Sequence, residues 1–141
     1  MIWNRILALE ELNKVNDNTL ARHLGIVITE VGEDFIRASM PVDHRTRQPM
    51  GLLHGGASVV LSETIGSIAG VLIIEDMSKE TIVGVEINAN HLKSVSSGYV
   101  HSITKPIRIG RRIQVWNTEI YNDGDELICV SKLTTMRVKR S

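Results

Sequence analysis

Apolar residues change their period along this chain. From Ile82 to Leu92 they alternate with polar ones: Val83, Val85, Ile87 and Ala89 predict one face of a strand, with Glu86, Asn88 and Asn90 on the other. Three more strand-like runs follow, at 99–107, 113–121 and 126–138, and the Asp-Gly of "YNDGDE" predicts a hairpin between the last two. Upstream, residues 25–31 and 34–42 read as two strands joined around Gly32, and Leu9 to His23 as one or two short helices broken at Asn16 to Asn18, with Asn18 placed as an N-cap. Between the two blocks lies "QPMGLLHGGASVVLSETIGSIAGVLII", Gln48 to Ile74, whose one formally charged residue is Glu63. This stretch predicts a helix from about Gly56 to Ile74, roughly 28 Å long at 1.5 Å per residue.

Two strands, one long apolar helix and an antiparallel run of strands make the expected class α+β, a curved sheet wrapped around one central helix. No repeat or linker divides the 141 residues, so a single domain over 1–141 is expected. Charges balance at 16 basic and 16 acidic residues, which gives no field to draw nucleic acid or an anionic membrane. The one cysteine, Cys129 in "LICVSKL", excludes an internal disulfide and reads as a small strand residue; no Cys/His spacing suggests zinc. Acidic residues interrupt "MIWNRILALEELNK", unlike a leader peptide. The span from Gly55 to Ile74 could cross a bilayer by length, but a mid-membrane acid costs ~2.5–3.5 kcal/mol. Ser58, Ser62, Thr64 and Ser67 add to that polarity, so a buried helix of a cytoplasmic protein is expected.

The chemistry concentrates in the same stretch. Gly55 and Gly56 follow His54 at the start of the helix, where backbone N–H groups lack partners and the helix dipole is positive. Such a terminus can stabilise an oxyanion, although His-Gly-Gly is also a common turn. Glu63 lies two turns further on, with Ser67 four residues later on the same face. Its carboxylate can pair with an arginine or serve as base or nucleophile; exposure on one helix face is disfavoured by the apolar and small residues around it. Gly-x-Ser-x-Gly, the phosphate-cradling Gly-x-x-x-x-Gly-Lys and the dinucleotide fingerprint are absent. Lys105, Arg108, Arg111 and Arg112 gather around Gly110 in "KPIRIGRRIQVW", either to meet a phosphate-bearing ligand or as a solvated hairpin end. His91 and Lys93 in "NANHLKS" are similarly ambiguous.

"MPVDHRTRQPMGLLHGGASVVLSETIGSIAG", "VGVEINANHLKSV" and "IQVW" together resemble the hotdog-fold acyl-coenzyme A thioesterases, in the 4-hydroxybenzoyl-CoA thioesterase branch that uses a helix-borne glutamate. The likeness runs from "MIW" to "SKLTT". It implies a homodimer or dimer-of-dimers tetramer with each active site between subunits, an acyl-CoA substrate (most simply an aryl-CoA), and no cofactor. It also implies that Glu63 attacks the thioester carbonyl or activates water to do so. The N–H of Gly55 would polarise the carbonyl, and Gln48 and His54 would position the thioester or the water. Ser67 and Met50 would border the acyl group, a flexible Met at position 50 implying a broader acyl range. His91, Lys93, Gly110 and Arg111 would contact the coenzyme A arm. Two other readings use the same fold: a hydratase or dehydratase, and a non-catalytic acyl-CoA-binding protein. The nine-residue step from His54 to Glu63 resembles the first poorly, and retention of Gln48, His54, Gly55 and Glu63 disfavours the second.

Overall fold

The expected order of elements is observed across residues 1–141, all of which the computed structural model describes. Helices α1 (Leu9–Lys14) and α2 (Leu20–His23) precede strands β1 (Val27–Val31) and β2 (Ile36–Pro41). The long helix α3 (Gly55–Leu72) comes next, followed by β3 (Glu80–His91), β4 (Tyr99–Ile109), β5 (Ile113–Asn122) and β6 (Leu127–Lys139). The strands form one antiparallel sheet in the order β1-β2-β4-β5-β6-β3, with α3 packed against it. This is the hotdog arrangement.

α3 presents Leu61, Ile65, Ala69 and Leu72 to the sheet, all buried, and Trp116, Ile120 and Leu133 meet them in the same core. Burying such side chains contributes ~1.5–3 kcal/mol each. By length and a mean hydropathy of 1.4, α3 is apolar enough to cross a membrane. Here it is the core helix, with half of its residues buried inside the protein. Cys129 is a buried β6 residue, as its strand context predicts, and burial pushes its thiol pKa up.

Two local expectations are corrected, and a third is met with a detail of its own. Thr19, not Asn18, is the N-cap residue of α2; Asn18 adopts φ +59° at the break, and the Thr19 hydroxyl donates to the Asn16 carbonyl. The β5–β6 hairpin forms where Asp-Gly predicts it, but the left-handed residue is Asp125, because the Asn122 side chain accepts from the N–H groups of both Gly124 and Glu126. In β3 the simple alternation fails. Gly84 pairs with Thr135 and Glu86 with Thr134, so Val85 is an extra residue in a β-bulge. Ile82, Gly84, Ile87 and Ala89 therefore face the helix and core, while Val83 and Val85 are exposed.

Candidate active site

The loop between β2 and α3 is pinned where it matters. Leu53 N–H donates to Val95 O, and His54 N–H to Thr46 O. Gln48 closes the turn before them: its N–H donates to Leu52 O, its carbonyl accepts from Gly51, and its side-chain Oε1 accepts from Met50 N–H. The Gln48 NH2 is left without an intramolecular partner.

His54 is the N-cap of α3. Its Nδ1 accepts from Gly56 N–H at 2.7 Å, and its carbonyl accepts from Ala57 and Ser58. A neutral imidazole that accepts at Nδ1 carries its proton on Nε2. Gly55 N–H alone among the first donors has no partner within the chain. It is an open donor at the positive end of an 18-residue helix. The His91 ring packs over Gly55: a Cβ added there would lie 2.8 Å from Nε2, so a side chain would displace the imidazole.

Glu63 departs from the burial expected of it. In the single chain it is exposed. The apolar and small neighbours that suggested burial belong partly to the same face of α3, where Val60, Thr64, Ser67, Ile68 and Val71 are only half-covered. Glu63 has no basic partner. Its Oε1 lies over Gly84, where an added Cβ would come within 3.0 Å. Gly84, which the sequence reading did not single out, is the residue Glu63 lies over; the available signal was a glycine inside a strand pattern, which marks a bulge or a close approach.

The predicted residues thus do not gather in one place. Gln48, Gly55, His91 and Lys93 line one open cleft of about 360 Å³, together with Ser58, another residue not anticipated. Lys93 there is ion-paired with Glu126, whose carboxyl pKa is held down by that ammonium. Glu63 lies eight residues along α3 from Gly55, about 12 Å at 1.5 Å per residue. Ser67, one turn beyond Glu63, lines a separate apolar pocket. Gly110 and Arg111 lie at the β4–β5 hairpin, where Arg111, Arg112, Arg137 and Lys139 line a basic cleft. Arg112 O accepts from Arg137 N–H, and Arg137 pairs with Ile82; this places the hairpin nine β3 residues, about 30 Å, from His91. Met50, 81% exposed at its loop tip, is absent from the cleft that Gln48 and Gly55 line.

Comparison with known proteins agrees with this architecture. Residues 50–129 match the thioesterase superfamily. The chain is 50% identical over 135 residues to the 1,4-dihydroxy-2-naphthoyl-CoA hydrolase of Escherichia coli, covering 96% of this chain and 98% of that one. It is 47% identical to the proofreading thioesterase EntH of Cronobacter sakazakii, over 96% and 97% of the two chains. A crystal structure of a thioesterase from Haemophilus influenzae superposes with a TM-score of 0.95 at 51% identity, covering 99% of this chain and 96% of that one. Sequence, sheet order and central helix converge: the chain belongs to the thioesterase superfamily and is a thioester hydrolase with the hotdog fold.

Proposed function

We propose that this enzyme hydrolyses acyl-CoA thioesters, with aryl-CoA such as 1,4-dihydroxy-2-naphthoyl-CoA the leading substrate class, in an active site completed by a second copy of the chain. The observation that carries the reading is the separation of Glu63 from Gly55. One carbonyl carbon cannot lie against Glu63 while its oxygen accepts from a Gly55 N–H about 12 Å away on the same helix. Both groups are open toward the outside of the chain, and a partner's Gly55 can meet this chain's Glu63 across a twofold axis.

The edge strand supports that geometry. β3 ends the sheet and leaves a 12-residue edge without a partner, with Val83 and Val85 exposed beside it. An unpaired edge of this length is a template for pairing. Antiparallel pairing of two β3 edges brings the His91 end of one copy beside the Arg111 end of the other. The split between His91 with Lys93 and Gly110 with Arg111 then closes, and the basic hairpin meets the phosphates of coenzyme A. Pairing of two such dimers gives the tetramer implied by the resemblance. With a substrate that carries coenzyme A, the enzyme works in the cytoplasm.

Catalysis then needs few parts. Glu63 either attacks the thioester carbonyl or takes a proton from an attacking water. In the first route the C–S bond breaks to leave an acyl–Glu63 anhydride and CoA thiolate, and water then cleaves the anhydride to free the acid and the glutamate. In the second the water oxygen bonds to the carbonyl carbon, the C–S bond breaks, and the thiolate takes the proton held by Glu63. Gly55 N–H donates a hydrogen bond to the developing oxyanion, lowering the barrier by ~3–4 kcal/mol. The free NH2 of Gln48 and the Nε2–H of His54 hold the thioester or water in place. Thiol release from a panel of naphthoyl-, benzoyl-, hydroxybenzoyl- and aliphatic CoA esters tests the assignment. Preference for aryl thioesters is expected; an aliphatic profile contradicts the substrate class, and no release from any ester contradicts the activity.

A further inference from the structure

The pocket that holds Ser67 is bounded on one side by α3 and on the other by the N-terminal segment. Ser67, Ile68, Val71 and Leu72 form the helix wall; Leu7, Leu12 and Val15 form the opposite one, and Met77 closes the end. The space is about 370 Å³ and almost wholly apolar. That lies near the lower end of ligand pockets, roughly 300–1,000 Å³. Ser67 and Val71 stand four and eight residues past Glu63, so the pocket begins one turn beyond the carboxylate on the same helix face.

The N-terminal wall is held at both ends. Asn4 and Arg5 donate their backbone N–H groups to Leu72 O, and the Asn4 side chain donates to Ile73 O at 2.7 Å. At the other end Asn13 acts as a strand partner for Ile28, its side chain donating to the Ile28 carbonyl and accepting from the Ile28 N–H. Leu12 anchors the segment in the core, whereas Leu7 and Val15 keep 38% and 63% of their surface exposed. Exposed apolar side chains on a tethered segment facing an apolar helix stripe leave a preformed slot, one that a ring or hydrocarbon chain fills without moving backbone.

We infer that residues 5–15 form the size-selecting wall of the acyl pocket, with Leu7 and Val15, together with Met77, setting the largest acyl body that hydrolysis accepts. The inference rests on the proposed acyl-CoA hydrolysis: a carbonyl held at Glu63 directs its acyl group along α3 past Ser67 to this wall. The occupant is the apolar acyl portion of the substrate, an aryl ring system or a medium-length chain.

The test is kcat/KM of the full-length protein for acetyl-, benzoyl-, naphthoyl- and decanoyl-CoA, with Leu7→Trp, Val15→Trp, Leu7→Ala and Val15→Ala alongside, each checked by thermal melting. The tryptophan variants are expected to lower the naphthoyl-to-acetyl ratio by about tenfold or more, the scale of one or two misplaced methylenes in an apolar pocket. The alanine variants are expected to raise the decanoyl-to-benzoyl ratio. A wild-type protein that hydrolyses these esters, with ratios within about twofold of wild type in every folded variant, overturns the wall. Should the tryptophan variants fail to fold, unchanged ratios in the alanine pair overturn it alone. A wild-type protein that hydrolyses none of the esters overturns the underlying activity instead, so the two failures are distinct.

Discussion

The two faces of α3 have opposite fates. The sheet side, Leu61, Ile65 and Ala69, is fully buried and satisfied within one chain. The other side, from Gly55 through Glu63 and Ser67 to Val71, is half-covered and leaves its polar groups without partners. One helix thus carries both the stability of the fold and, in the proposed function, its chemistry, separated by about half a turn of rotation. The lesson is that an acid amid apolar residues need not be buried by its own chain. It can mark a face reserved for a partner and a ligand.

Substitutions on the two sides should separate cleanly. Glu63→Gln is expected to reduce turnover by about 10²–10⁴-fold, the range of a lost base, with no fall in melting temperature. Near-normal thiol release by that variant contradicts the assignment of Glu63. Leu61→Ala, on the buried side, should behave in reverse: a loss of ~2–5 kcal/mol in denaturant unfolding, with the folded fraction still active. Gly84→Ala probes the contact between Glu63 and the edge strand β3. Its Cβ would stand 3.0 Å from Glu63 Oε1, so the carboxylate must shift, and kcat should fall by about ten- to a hundredfold while KM changes little. A lowered KM with unchanged kcat would show that the carboxylate tolerates the displacement.

Smaller effects belong to the loop that leads into α3. His54→Ala removes the Nδ1 cap on Gly56 and should cost ~1 kcal/mol of stability together with a loss of turnover milder than that of Glu63→Gln. Smallest is the acid response of the same loop. Hydrogen bonds from the Arg45 side chain and backbone hold the Asp43 carboxyl at about 2, below its ordinary 3.8. A lowered folded-state value stabilises the protein above the unfolded value, and that contribution is lost as pH falls from about 3.8 toward 2. Asp43→Asn should flatten melting temperature against pH across that window; an unchanged slope contradicts the role of the pair.

Much of this was legible beforehand because its signals are local. A period-two run such as Tyr99 to Ile107 announces a strand, and the apolar stretch around Gly55 to Leu72 announces the helix within a residue or two. The bulge at Val85 was not legible, since Val83, Val85 and Ile87 alternate without a break and only the register with Thr134 and Thr135 shows the extra residue. Gly84, a glycine inside that strand pattern, was the one local signal of it, and only the structure shows that Glu63 lies over it. The exposure of Glu63 depends on which helix face the sheet takes. Leucine and isoleucine on one side and valine, threonine and serine on the other are too alike for sequence to decide. The distance between Arg111 and His91 is a property of strand order, which connects residues far apart in the chain.

Whether the open face is completed by a second copy can be measured by mixing two impaired variants. Glu63→Gln and the double variant Gln48→Ala with His54→Ala would be co-expressed with different tags, and the mixed assembly purified through both. If each site takes its glutamate from one chain and its loop from the other, a mixed dimer holds one intact site and one doubly defective one. Thiol release should then recover to about half of the wild-type rate per dimer, far above either parent. If each chain builds its own site, every site in the mixture keeps one defect, and turnover no higher than the mean of the parents would contradict the account.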